Sequence, residues 1–414
     1  MHDRLPTETA TARGGNGAAP TAGPVPPPAL NQRCPFGPSP GLTALRDEQP
    51  LRPMRYPDGH VGWLATGHPA VRKILADPRF SSRLELMHLP FELDFDGIPS
   101  APAGDLTAMD APEHTRYRRR LAGAFTVRRM RLLTERVEEI TAEHLDAMER
   151  QGTSADLVTA FAQPVPTLVI CELLGVPYTD RSRFQGYTAA LSGVDVTLEE
   201  QIAAMADLSS YIQELITAKR TAPTDDLLSD LVTDGGFTDA ELAGIGSFLL
   251  AAGLDTTANM IAYGTFALLS HPEQLARLRA EPELAAPAVE ELLRYLSIAH
   301  TGIRTALEDV EIDGHTIRAG DTVTLSIEAA NRDAERFPDP DTLDLGRRTT
   351  GHLAFGHGIH QCLGQQLARV ELTVALPALL ARFPGLRLAV PADEVPLREG
   401  VNVLGGVHGL PVAW

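Results

Sequence analysis

Lysine is nearly missing from this chain. Of 36 basic residues only Lys73 and Lys219 are lysines, so arginine carries almost all the positive charge. Positive charge is itself in the minority: 54 acidic residues give a formal charge of -18, which argues against a broad nucleic-acid grip. Cysteine is scarce and odd in number. Cys34, Cys171 and Cys362 lie far apart and make no disulfide framework, as in a cytoplasmic protein in which one thiol could be chemical. The N-terminus lacks an apolar h-region, so residues 1–30, rich in Pro, Gly, Ala and Thr, are expected to be a flexible tail and not a signal peptide. Repeats and linkers are absent between residues 31 and 414, which reads as a single domain. No apolar run long enough to cross a membrane is free of charge. Residues 242–269 come nearest, and Asp255, flanked by Thr256, Thr257 and Asn259, sits in their middle. A mid-span acid is costly in lipid, so this stretch reads as a central core helix and no membrane anchor is expected.

What is present is helical periodicity. With 43% hydrophobic and 22% charged residues in 414, the chain is globular and has ample material for a core. Helices are expected at residues 69–76, 110–125, 130–151, 157–174, 198–220, 238–270, 272–279, 284–296 and 362–383. Asp110, Pro112 and Glu113 look like the cap and first turn of the second of these. Strand patterns are few: residues 61–65, a hairpin over 310–317 turning at Asp313-Gly314, residues 322–327, and a Gly-rich tail. The reading is mainly α with small β-sheets.

The strongest local signal is Phe355-Gly-His-Gly-Ile-His-Gln-Cys362-Leu-Gly364. Cys362 follows a Gly-rich loop and precedes a helix, where free amides and the helix dipole lower a thiol's pKa and make it a good metal ligand. Gly358 and Gly364 would let the backbone approach something large and flat. An isolated cysteine after such a turn is usually inert core. Zinc is disfavoured, since no second cysteine is near and His357 and His360 have no known ligand spacing with Cys362. The spacing of Phe355, Gly358, Cys362 and Gly364 resembles the haem-ligand loop of the cytochrome P-450 superfamily, soluble bacterial type.

That resemblance extends from about residue 34 to residue 414 and has further supports. Asp255-Thr256 inside the long helix is similar to the acid–alcohol pair that kinks the helix over the haem and relays protons toward dioxygen. By itself a threonine there could be no more than an i−4 back-bond. Glu291 and Arg294 resemble the Glu-x-x-Arg pair that buttresses the haem loop, with a third member expected among Asn331, Arg332 and Arg336. An i,i+3 Glu–Arg pair alone is commonplace on solvated helices. His114 and Arg118, on one helix face, match a propionate-binding pair, and Arg304 and His360 match other propionate contacts. The resemblance thus implies the cytochrome P-450 fold with its long central helix over haem b, and Cys362 as the axial thiolate. The reaction implied is monooxygenation of a C–H bond or alkene.

It also implies a monomer fed with electrons from NAD(P)H through a ferredoxin reductase and a small acidic ferredoxin. Arg116, Arg119, Arg120, Arg128 and Arg129 could offer that partner a basic patch, or be no more than a solvated face. By analogy the substrate would touch Phe91, Glu92, Leu93, Asp94, Phe95, Phe248, Ala252, Ile298, Val403 and Leu404. These are mostly apolar, which suits a bulky lipophilic molecule such as a macrolide, polyketide or terpenoid of secondary metabolism. Residues 91–96 alternate apolar and acidic, so Glu92, Asp94 and Asp96 could face a substrate ammonium, or simply solvate a loop. Alternatives are a fatty-acid hydroxylase, a peroxide-driven enzyme and a non-catalytic haem-binding protein. The intact Asp255-Thr256 pair favours the oxygen-dependent route.

Overall fold

A computed structural model describes residues 23–27, 35–38, 40–92, 98–123, 127–180, 183–184, 186–187, 197–398 and 404–414. Its axis is the helix Asp239–Ser270, 32 residues without a break and about 48 Å long at 1.5 Å per residue. The start is fixed locally. The Thr238 hydroxyl accepts from the Glu241 N–H and the Glu241 carboxylate accepts from the Thr238 N–H, a reciprocal capping box. Beyond its first turn the helix carries one charge, Asp255, and is otherwise largely apolar around its circumference, so neighbours must cover most of it. Pro164–Leu174, Leu198–Thr221 and Gln365–Arg382 lie against it, and Val127–Gln151 closes over the first and last of these. It is the one described helix long and apolar enough to cross a membrane, and most of it is buried inside the protein. Ala251 and Ala252 are exceptions: both are accessible, although the helix is buried on either side of them.

Among the described residues ten short strands complete the fold: β1 Leu51–Arg55, β2 Val61–Ala65, β3 Phe80–Ser81, β4 Ser154–Asp156, β5 Thr301–Ala306, β6 Val310–Ile312, β7 His315–Ile317, β8 Thr322–Ser326, β9 Arg387–Leu388 and β10 Pro411–Ala413. The largest sheet runs β1-β2-β8-β5-β3, antiparallel except for β2 with β8. Pro53 is tolerated in β1 because that strand is at the edge. Val25, within the segment read as a tail, donates to the Pro53 carbonyl and accepts from the Arg55 N–H. The β6–β7 hairpin turns at Asp313 and Gly314, both at positive φ, as the Asp-Gly pair predicts. In the sheet, Arg304 pairs with Val323 and Ser81 with Thr305, which sets the register of two segments that reach the candidate site.

Three expectations need correction. Residues 157–174 are not one helix: Val158–Ala162 is a π-helical turn, and the α-helix begins at Pro164, whose missing N–H costs nothing at a first position. The helix expected from Asp110 begins at Glu113, and Asp110 does not cap it. Its carboxylate accepts instead from Ser81 Oγ at 2.5 Å and the Ser82 N–H at 2.9 Å. Cys362 precedes its helix by three residues, since Gln365 is the first helical position.

One of the two lysines is spent inside the fold. Lys219 Nζ lies 2.5 Å from Asp226 Oδ2 and 2.7 Å from Thr224 Oγ1, and both charged partners are buried. Gly175, at φ +70, passes so close that a Cβ there would meet Asp226 Cγ at 2.3 Å.

Candidate active site

The loop carrying Cys362 is pinned at several points. The Cys362 N–H donates to the Phe355 carbonyl at 2.8 Å, and the Leu353 N–H donates to Asn331 Oδ1 at 2.7 Å. Gly358 has φ +74, and a Cβ on it would come within 2.4 Å of the Leu75 carbonyl oxygen. Its task is therefore to dock the loop on the helix His68–Ala76, not to approach a flat group. Gly364 has open space where a Cβ would be. The Phe355 ring lies under the Arg369 guanidinium, 4.6 Å away. Arg369 Nε is 2.5 Å from Glu290 Oε1, and His352 Nε2 is 3.0 Å from Glu290 Oε2. This Glu290–Arg369–His352 clamp was not anticipated.

Burial alone would raise the Glu290 carboxyl, but the bonds from His352 and Arg369 outweigh it and hold the group at about 2 against an ordinary 4.5. A depressed carboxyl stabilises the fold above its unfolded pKa, and that contribution is lost as pH falls through the folded value. Glu290→Gln should therefore be less stable than wild type at neutral pH. The gap should close as pH falls from 4.5 to about 2. Thermal unfolding across that range checks it, and a gap independent of pH would contradict the clamp.

Cys362 is solvent-accessible, yet enough protein surrounds its sulfur for burial to push the thiol upward. The Gly364 and Gln365 amides and the Arg118 and Arg369 charges oppose this without reversing it. The helix start alone thus does not deliver the lowered pKa expected from the sequence. A bound metal cation would tip the balance to thiolate.

Around the thiol loop the structure gathers the four expected donors. The His114 and His360 rings are 4.2 Å apart. Burial, with Arg304 and His114 nearby, drives His360 down to about 3. Burial also lowers His114 and Arg118, and brings Arg304 down to about 10. Among the described residues His114 Nε2 is buried with no hydrogen-bond partner, and Arg304 Nη1 donates only to the carbonyl of its own neighbour, Ile303. The acid that acts on three of these groups is Asp110, already committed to Ser81 and Ser82. Desolvated guanidinium groups such as Arg118 and Arg304, with no carboxylate paired to them among the described residues, are costly, and an anionic ligand relieves them while giving the histidines an acceptor.

Glu291 and Arg294 are fully buried and joined by two bonds of 2.7 and 2.8 Å. The third member is Arg347, whose Nε lies 3.1 Å from Glu291 Oε1. None of the three candidates named from sequence fills that place. Asn331 offers its carbonyl to Arg294 and its side chain to Ser297 and Leu353; Arg332 binds Asp341 and the Tyr295 carbonyl; Arg336 binds the Thr350 carbonyl.

In the central helix the Thr256 hydroxyl donates to the Ala252 carbonyl at 2.7 Å. Asp255 is gripped by Arg398, whose two terminal nitrogens each lie 2.7 Å from one carboxylate oxygen. Arg398 was not foreseen either. Ala252 and the half-buried Phe248 lie on this helix. Ile298 and Leu404 come together, since the Gly405 N–H donates to the Ile298 carbonyl and Ala299 bridges to Leu404. Phe91 is half-buried and Glu92 exposed, while Leu93, Asp94, Phe95, Asp96 and Val403 lie outside the described residues.

The arginine patch is largely neutralised. Arg116 pairs with Glu241, Arg120 with Asp234 at 2.6 Å, Arg128 with Asp225 at 2.8 Å, and Arg129 with Asp225 and Asp230 at 3.0 and 2.8 Å. These arginines staple their helices to Leu227–Asp234 and its flanks, so they do not form a free basic surface.

The sequence matches the cytochrome P450 family over residues 94–398. The chain belongs to the cytochrome P450 family. It is 52% identical over 381 residues to cytochrome P450 105C1 of a Streptomyces species, covering 92% of this chain and 96% of the relative. It is 46% identical to pentalenic acid synthase of Streptomyces avermitilis, covering 93% and 96%. Its fold is similar to the crystal structure of CYP105P1 in complex with filipin I, with TM-score 0.87, 42% identity, and coverage of 94% and 99%. A P450 monooxygenase implies haem iron held by a thiolate. The residues of this P450 fit such a group: an accessible thiol three residues before a helix, beside desolvated donors that make no ion pair among the described residues, one of them the orphaned His114 Nε2.

Proposed function

We propose that this P450 inserts one oxygen atom of O2 into a C–H bond or alkene of a bulky lipophilic small molecule, with Cys362 as the axial ligand of haem b. The observation that carries the assignment is the gathering, around the Cys362 loop, of four desolvated donors that make no ion pair among the described residues. His114, Arg118, Arg304 and His360 would hold the two propionates. The haem, when bound, supplies the oxygen chemistry: substrate, O2, two electrons and two protons give the oxygenated product and water. Asp255 and Thr256 hold and pass the protons. The Thr256 hydroxyl, now donating to the Ala252 carbonyl, is free to turn its single hydrogen elsewhere.

The substrate class is supported by the apolar Phe248, Ala252, Ile298 and Leu404, and by relatives that include a pentalenic acid synthase and a filipin I complex. We read it as a macrolide, polyketide or terpenoid of secondary metabolism. Electrons from NAD(P)H would arrive through a ferredoxin reductase and a small acidic ferredoxin. A docking face is supported by the helix His68–Ala76, on which the thiol loop rests. Arg72 and Lys73 are exposed there and make no ion pair among the described residues. The reduced carbon-monoxide difference spectrum tests the ligand: a histidine-type band would remove the assignment. Soret shifts with macrolides, terpenes and fatty acids test the substrate class.

Thr256→Ala should continue to consume reductant while product per electron falls several-fold, because a lost relay releases reduced oxygen unused. Thr256→Ser should recover most of the yield. An unchanged ratio of product to reductant in Thr256→Ala would remove the relay role.

A further inference from the structure

Asp255 is not a free acid on the central helix. Its carboxylate accepts two bonds of 2.7 Å from the Arg398 fork and one of 3.2 Å from Asn259 Nδ2, which also donates to the Asp255 carbonyl at 3.0 Å. Among the described residues Arg398 Nε is buried without a partner, and the two terminal nitrogens of this guanidinium both go to Asp255. The Arg398 N–H in turn donates to the Gly406 carbonyl at 2.9 Å. Gly406, at φ +153, lies so near Asn259 that a Cβ would fall 2.1 Å from Asn259 Oδ1. These contacts close a ring: Asp255, Arg398, Gly406, Asn259 and back to Asp255.

The ring joins two parts of the site. Residues 397–398 and 404–407 are the legs of one C-terminal loop, closed by the Leu397–Val407 bridge. Both legs rest on the central helix, one through Asp255 and one through Asn259. The second leg also carries Leu404 and holds Ile298 through the Gly405 N–H at 2.7 Å. A shift of this loop therefore moves the Arg398 backbone, and its fork moves the carboxylate. A bidentate pair transmits direction as well as charge, which a single-point contact does not.

We infer that Arg398 is a positioning residue for the proton relay: its fork aims the Asp255 carboxylate and ties it to the C-terminal loop that carries Leu404, so the loop at the substrate also sets where the relay acid points. The inference rests on the relay reading of Asp255 and Thr256 above. It adds that a substrate which displaces this loop lowers the yield per electron without losing affinity. Recognition then enters through proton delivery as well as through binding.

The test compares Arg398→Gln, Arg398→Lys and Asp255→Asn as holoenzymes. It reads product per reductant, the solvent isotope effect on product formation, the spectral substrate titration and thermal unfolding. Arg398→Gln is expected to lower product per reductant at least about fivefold, the lower end of coupling between linked sites, with a changed isotope effect. Substrate affinity should stay within about twofold, well below that coupling. Arg398→Lys, which keeps the charge and loses the fork, should fall between it and wild type. In a thermal cycle, Arg398→Gln and Asp255→Asn should be non-additive, as partners are.

If Arg398→Gln loses stability or affinity while product ratio and isotope effect stay at wild type, Arg398 is a strut and the inference is wrong. Should Arg398→Gln not fold, Arg398→Lys decides alone, and wild-type ratio and isotope effect in it overturn the idea. If Asp255→Asn itself keeps the wild-type ratio, the relay reading falls first and takes the inference with it. If Asp255→Asn loses yield and neither Arg398 variant does, only the inference falls.

Discussion

Cys362→Ala should abolish the thiolate band of the reduced carbon-monoxide spectrum and all turnover, while Cys171→Ala and Cys34→Ala keep both. Cys171 is fully buried in the helix Pro164–Leu174. It packs in the main apolar core, where a small hydrophobe serves as well as a thiol. Cys362 is accessible, stands within electrostatic reach of Arg118 and follows a loop held by Asn331 and Phe355. Removing its sulfur would take away the proposed bond to iron and leave the fold with only the loss of a side chain that was not filling core. Protein yield and helix content should therefore change little. Loss of the band in Cys171→Ala alone would reverse the assignment.

The second large effect belongs to Glu291. Its substitution by alanine would leave Arg294, fully buried, without its carboxylate and strip Arg347 of the same partner. Breaking a buried pair from one side costs about 3–5 kcal/mol, because the remaining charge stays desolvated. The Asp344 N–H, which donates to Glu291 Oε1 at 3.1 Å, loses its acceptor too. Glu291→Ala should fail to accumulate as holoenzyme, or melt far below wild type. Arg347→Ala should cost much less, since the bidentate Glu291–Arg294 bonds survive it. Arg294→Lys should not rescue, because a lysine cannot bond Glu291 through two nitrogens and also reach the Asn331 and Pro340 carbonyls, both 2.9 Å from Arg294 Nη1. A Glu291→Ala melting curve within about 0.5 kcal/mol of wild type, the range of a neutral surface change, would overturn this account.

Both residues were visible in the sequence for the same reason: their signals are local. A thiol among spaced glycines, an acid and an arginine one turn apart, and an acid–alcohol pair in an apolar helix are each written within ten residues. Their partners are not. Arg347 lies 56 residues from Glu291, and Arg398 lies 143 from Asp255. No periodicity links such positions, and each arginine looks like any other in a chain where nearly every cation is arginine. Glu290 was overlooked because its neighbour matched a motif, although the two carboxylates hold different loops. The arginine cluster misled for the converse reason. Five cations close in sequence look like a patch, but the acids that neutralise four of them are about a hundred residues on. Strand β5 was missed because Gly302 and Arg304 break its alternation.

The scarcity of lysine has a practical outcome. Lys219 is sealed in its pair with Asp226, and Lys73 is exposed on the helix against which Gly358 docks the thiol loop. An amine-reactive dye applied to the native protein therefore meets a single lysine side chain, next to the loop that carries Cys362. Once the α-amine is blocked, the wild-type sequence supplies a one-position fluorescent reporter for that face, with no cysteine to introduce or remove.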